Sequence, residues 1–118
     1  MSERRDICER TFRFAVKIVS LCQLLYAKGG VARILGQQIL KSGTSIGANI
    51  EEGQAAQSKA DFISKYSIAR KEARETLYWL RLIIESKILT SEKLKEYLTE
   101  SNELIAILTS IIKKAKAC

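Results

Sequence analysis

The stretch SKADFISKYSIARKEARETLYWLRLIIESK, Ser58 to Lys87, decides the fold. Its apolar and small residues recur in steps of four and three: Phe62, Tyr66, Ala69, Ala73, Thr76, Leu80 and Ile83. That is the period of an amphipathic helix, not the alternation of a strand. Ile63, Leu77 and Ile84 flank the seam. Ser58 followed by Asp61 resembles a capping box, with Asp where Glu or Gln is usual. Ala69 and Ala73 leave room for a neighbouring helix to pack closely.

The same period extends in both directions. Toward the N-terminus, residues 31–54 carry a seam of Ile39, Gly43, Ile46, Ile50 and Gly53. Glycine costs up to ~1 kcal/mol per position in a helix, so this element depends on tertiary packing. A local break near Gly36 or Gly43 is the competing reading. Residues 3–28 repeat Cys8, Phe12, Ala15, Val19, Cys22 and Tyr26, widened by Ile18 and Leu25. Gly29 and Gly30 end that helix. Toward the C-terminus, residues 91–116 show Leu94, Leu98, Ser101, Ile105, Leu108 and Ile112, with Tyr97, Leu104 and Ile111 beside them. Thr90 or Ser91 caps this helix, Glu92 complements its N-terminal dipole, and Lys113, Lys114 and Lys116 its C-terminal one.

Four amphipathic helices with short connections predict an all-α, antiparallel up-down-up-down bundle over residues 1–118. The absence of proline fits long helices. Several stripes are wider than one core seam needs. Tyr97, Leu104 and Ile111 could be left over, which suggests an oligomer; a broad core face explains the same pattern.

The net charge of +7 favours acidic partners, namely nucleic acid, an anionic membrane face or an acidic protein; solubility alone is the competing explanation. No apolar run approaches the ~20 residues of a membrane span. No signal peptide opens the chain, and a cytoplasmic location is expected. Of the cysteines, Cys8 and Cys22 lie roughly 21 Å apart along one helix, beyond disulfide reach. Cys118 is a terminal thiol.

Histidine is absent, which removes the commonest general base and metal ligand. No phosphate-binding loop of the G-x-x-x-x-G-K-S/T kind occurs. Gly43-Thr44-Ser45-Ile46-Gly47 superficially matches G-x-S-x-G, but no strand precedes it and no histidine completes a triad. Glu51 and Glu52 are adjacent and point about 100° apart. The chain is therefore expected not to be an enzyme and to use no cofactor or metal.

Two polar patterns stand out. Ser42, Ser45, Asn49 and Glu52 share one helical face, and Glu75 lies near the core stripe of its own helix; a hydrogen-bonded network that fixes register or a subunit contact is favoured over a ligand site. Arg10, Arg13 and Lys17 share a face of the first helix. Arg70, Arg74 and Arg81, with Lys71 nearby, line the third. Such rows can track a phosphate backbone. The alternative is a solvated face threaded by Glu9, Glu72 and Glu75. Tyr66, Tyr78 and Trp79 are candidates for stacking on bases, although Tyr66 fits the core.

Ser45-Ile46-Gly47-Ala48-Asn49-Ile50-Glu51-Glu52-Gly53 resembles the S-I-x-x-N-I-x-E-G signature of a bacterial family of four-helix proteins. These were first met as reading frames in intervening sequences of 23S ribosomal RNA genes. Ser58 with Phe62, then Ile68-Ala69 and Glu75, resembles the segment that follows, and Phe14-Ala15 fits the opening. After Ala69 the chain departs from the pattern, with Arg70, Lys71 and Glu72 at positions that are smaller and less charged in many members. The resemblance implies a protomer that assembles into a ring-shaped homo-oligomer, a homopentamer. It also implies kinship with the accessory proteins of diversity-generating retroelements, basic pentameric barrels that bind nucleic acid and a reverse transcriptase. Binding of RNA or DNA is thus one expected role, and a protein–protein adaptor for a nucleic-acid enzyme is the other. Ser45, Asn49, Glu52, Gly53 and Glu75 match the family's characteristic positions and are expected to be structural.

Overall fold

Every pair of touching helices runs antiparallel. In the computed structural model, which describes residues 3–118 with side chains from Asp6 onward, the helices are α1 (Glu3–Lys28), α2 (Gly30–Gln54), α3 (Lys59–Glu85) and α4 (Ser91–Ala117). Between α1 and α2, Ile18 meets Gly43 and Thr11 meets Gly47. Between α2 and α3, Ser42 meets Thr76 and Glu52 meets Lys65. Arg70 meets Thr109 across α3 and α4, and Arg10 meets Glu100 across α1 and α4. Lys59 meets Cys118 at the far end of α3 and α4, and Tyr97 of α4 meets Lys17 of α1, so in every pair one number rises as its partner falls, as the up-down-up-down bundle requires. The α1–α4 seam is the loosest of the four, and α1 and α3 are diagonal. The molecule measures 46 × 21 × 21 Å, one helix long and two helices wide.

Local chemistry sets the helix ends. Gly29 (φ 72°) and Gly30 (φ 54°) turn the chain from α1 into α2. Ser58 Oγ accepts from Asp61 N at 3.0 Å, as the capping reading requires, and Thr90 Oγ1 accepts from Lys93 N at 3.2 Å. The helix α3 stops at Glu85 rather than Lys87. Lys87 takes a left-handed conformation (φ 61°). The bonds Ile88 N to Ile83 O and Lys87 N to Ile84 O then complete a Schellman motif.

The core bears out the seam of α3 residue for residue: Phe62, Tyr66, Ala69, Ala73, Thr76, Leu80 and Ile83 are all buried. Every seam position of α2 is buried as well, and the helix passes Gly36 and Gly43 without a break. Its glycines sit where neighbours press closest. A Cβ on Gly43 would lie 2.8 Å from Ile18 Cγ1, and one on Gly47 would lie 3.2 Å from Thr11 O.

The other two seams need correction. In α1 the buried line is Ile7, Thr11, Phe14, Ile18, Leu21, Cys22 and Leu25, whereas Phe12 and Val19 are 58% and 43% exposed. The expected stripe is real, but it is turned toward the outer groove between α1 and α2. Thr11 tolerates burial because its hydroxyl donates to Ile7 O at 2.8 Å. In α4, Leu104 and Ile111 belong to the core instead of being left over, while Leu98 and Ile105 are half-buried. Tyr97 is half-buried too, and its hydroxyl donates to Lys17 O at 3.0 Å.

Candidate nucleic-acid interface

The two predicted basic rows do not form one surface. They lie on α1 and α3, which are diagonal in the bundle. Their chemistry also differs. Arg10 bridges from α1 to α4, with Nη2 at 2.6 Å from Glu100 Oε1 and 2.8 Å from Glu103 Oε1. The hydrogen bonds Arg10 donates to Glu100 and then to Glu103 push its pKa further up, so the clasp keeps its cation at any ordinary pH. Arg13 pairs with Glu9 at 2.7 Å within α1. Lys17 is exposed beside Tyr97.

On α3 and α4 the charges sort by face. Glu96, Glu100 and Glu103 are spaced by four and three along α4, and the Arg10 clasp shows that this stripe faces α1. Away from it run Lys95, Asn102, Thr109 and Lys116, seven apart and therefore nearly in line. Lys113 follows one turn after Thr109. Arg70 Nη1 donates to Thr109 Oγ1 at 3.4 Å, so this second stripe adjoins α3. Along α3, Arg74 and Arg81 continue the edge that Arg70 begins. Lys71 points outward, and all three are exposed.

The carboxylates Glu72 and Glu75 fall on the opposite edge of α3. Burial, then the charge of Glu75, pushes the Glu72 pKa up, and Lys41 of α2 is close enough to act on it. The outer α3–α4 surface thus presents Arg70, Lys71, Arg74, Arg81, Lys95, Lys113 and Lys116, with the carboxylates Glu85 and Glu92 at the end where α3 passes into α4. Lys95, Lys113 and Lys116 escape a reading of the sequence alone. Their signal is the row of Lys95, Thr109, Lys113 and Lys116 on the side of α4 away from Glu96, Glu100 and Glu103, which has meaning only once the neighbouring helices are known.

The family-motif residues lie between α2 and α3. Ser45 Oγ donates to Lys41 O at 2.6 Å, and Asn49 Nδ2 donates to Ser45 O at 2.8 Å. Glu52 pairs with Lys65 at 2.9 Å, and its hydrogen bond raises the Lys65 pKa. Trp79 Nε1 donates to Glu75 Oε1 at 3.5 Å. Gly53 lies under the ring of Tyr66, whose hydroxyl meets Gln54 Nε2. The Thr76 and Ser42 hydroxyls are 2.9 Å apart in the core. These contacts are within α2 or α3 or across the α2–α3 seam.

Burial pushes the Cys22 thiol up to about 11, and it donates to Gly36 O at 3.3 Å. Burial, then Glu51, also raises the Cys8 pKa. Neither is poised as a thiolate nucleophile. Among the described residues, no cluster of three or more His, Cys, Asp or Glu is placed to hold a metal ion. No helix among them is long and apolar enough to cross a membrane.

No curated protein matches the chain. Among solved structures, it is similar to a protein with unknown function from the S23 ribosomal protein family of Bacteroides thetaiotaomicron VPI-5482. The two are 45% identical with a TM-score of 0.88, over 95% of this chain and 99% of the other. The match to a described family runs across residues 3–110, nearly the whole bundle. The chain belongs to the 23S rRNA-intervening sequence protein family.

Proposed function

We propose that this protein is a non-enzymatic, oligomeric binder of RNA or DNA, and that the outer face of α3 and α4 is its contact surface. The observation that carries this reading is the sorting of charge on those helices. Glu100 and Glu103 of α4 turn to Arg10, Glu72 and Glu75 in the middle of α3 fall on the side toward α2, and Arg70, Arg74, Arg81, Lys95 and Lys113 share the surface between α3 and α4. A face of this kind attracts polyanions and releases their counterions on contact. Ribosomal RNA is the first ligand to try, because the similar Bacteroides protein is described as a member of a ribosomal protein family.

The test is charge reversal on two faces. Replacing Arg70, Arg74 and Arg81 with Glu is expected to weaken binding to a structured RNA fragment at least ~10-fold at low salt, with the helical circular dichroism unchanged. Replacing Arg13 and Lys17 with Glu is expected to change binding far less. Equal losses from the two faces would remove the α3–α4 assignment.

Self-association draws support from apolar surface left uncovered. Phe12, Val16 and Val19 are exposed beside Leu40, Thr44 and Ala48 in the outer α1–α2 groove. Val31 and Ile34, 65% and 60% exposed, form a second patch on α2. Two unlike patches on one protomer suit head-to-tail contacts that close into a ring, and five copies is the number the family resemblance implies. The same groove favours a second reading, an adaptor that docks a nucleic-acid enzyme such as a reverse transcriptase. Co-purification of such an enzyme after nuclease treatment supports the adaptor, and recovery of RNA alone counts against it.

A further inference from the structure

We infer that the basic face takes single-stranded nucleic acid, with an unpaired base stacked on Tyr78. This rests on the α3–α4 face being the contact surface and adds the kind of strand it accepts.

Lys71, Arg74, Tyr78 and Arg81 are spaced by three, four and three, which puts them in one outward stripe of α3. Tyr78 is 55% exposed in the middle of that stripe, one turn from an arginine on either side. Its ring is braced from the side. It meets the half-buried Trp79 edge to face, with centroids 5.1 Å apart and planes at 75°, and Trp79 is held in turn by Glu75. Other aromatic rings are placed differently. Tyr66 is fully buried, Tyr26 lies beneath the Arg33 guanidinium at 5.4 Å, and Phe12 is in the apolar α1–α2 groove.

An exposed aromatic ring between cations suits a strand that offers phosphates and open base faces together. A duplex offers the phosphates but keeps its base faces stacked inside, so Tyr78 would gain nothing from it.

The test compares fluorescence anisotropy for a labelled oligouridylate and oligothymidylate with that for a duplex of equal length. Wild-type protein is expected to bind a single strand more tightly than the duplex. Tyr78→Ala should weaken the single strand about 5- to 100-fold while leaving its salt dependence and the duplex affinity unchanged. Tyr78→Phe should bind like wild type, because the ring and not the hydroxyl stacks. Fluorescence of Trp79, the only tryptophan in the chain, should change when a strand binds to wild type, and less in Tyr78→Ala. Tyr78→Ala binding the single strand as well as wild type does, or wild type preferring the duplex, overturns the stacking inference and leaves the basic face standing. Equal weakening by the Arg70, Arg74 and Arg81 reversals and by the Arg13 and Lys17 reversals overturns the reading beneath it.

Discussion

A methyl group added at Gly53 would lie 2.6 Å from Tyr66 Cε1, and the ring it meets is fully buried. Gly53→Ala therefore trades a helix-propensity gain of up to ~1 kcal/mol against an overpacking cost of ~1–3 kcal/mol. The net expectation is a lower urea midpoint, although the substitution is favourable in an exposed helix. Glu72 makes a prediction of sign. Its folded pKa is raised by burial and by Glu75, so its charge opposes folding above that raised value and has no effect below the ordinary carboxylate range. Glu72→Gln should thus stabilise the bundle at pH 7, with the advantage fading as the pH falls to about 4. Thermal melts of the two proteins across that window measure it; a difference that grows toward acid contradicts the assignment. Arg10 works in the opposite way. Its clasp of Glu100 and Glu103 ties the loosest seam, α1 to α4, and Arg10→Ala should cost on the order of 1 kcal/mol, less at high salt, because the groups are partly exposed.

Among the elements, α3 was fully legible and α1 was not. The α3 seam is flanked outside by Lys71, Arg74 and Tyr78, so its period points to a single buried face. The outward side of α1 carries Phe12, Val16 and Val19, and hydrophobic period cannot tell a core from a second apolar surface. The buried line also includes Thr11, which a hydrophobicity pattern passes over. Leu104 and Ile111 were set beside the α4 seam for a related reason, since the helix is apolar through a wide arc and only packing selects the innermost positions. The basic rows were visible as helical spacings. Which rows share a surface was not, because that depends on α1 and α3 being diagonal. The end of α3 gives a sharp test. Lys87 holds a left-handed conformation that costs a side-chain-bearing residue roughly 1–2 kcal/mol. Lys87→Gly should raise stability by about 1 kcal/mol, part of the relief being lost to the greater freedom of the unfolded chain. A lower melting temperature for this variant contradicts the Schellman account.

For the molecule as a whole, three surfaces divide the work. The core and the α2–α3 motif contacts hold the fold, the apolar groove of α1 and α2 is the surface proposed to meet other copies of the chain, and α3 with α4 carries the cations of the proposed nucleic-acid face. Val19→Glu should therefore reduce the mass seen by light scattering toward that of the 13.3 kDa chain without unfolding it; an unchanged mass removes the groove from the proposed contact. The measurement that tests the central claim most directly is the salt dependence of binding by nuclease-treated protein to a single-stranded RNA. Seven cations, Arg70, Lys71, Arg74, Arg81, Lys95, Lys113 and Lys116, acting at ~0.7 ion each predict a log–log slope of roughly −5, reduced by nearly half when Arg70, Arg74 and Arg81 become Glu. A flat dependence, or the same slope in that variant, contradicts the assignment of this face to nucleic acid.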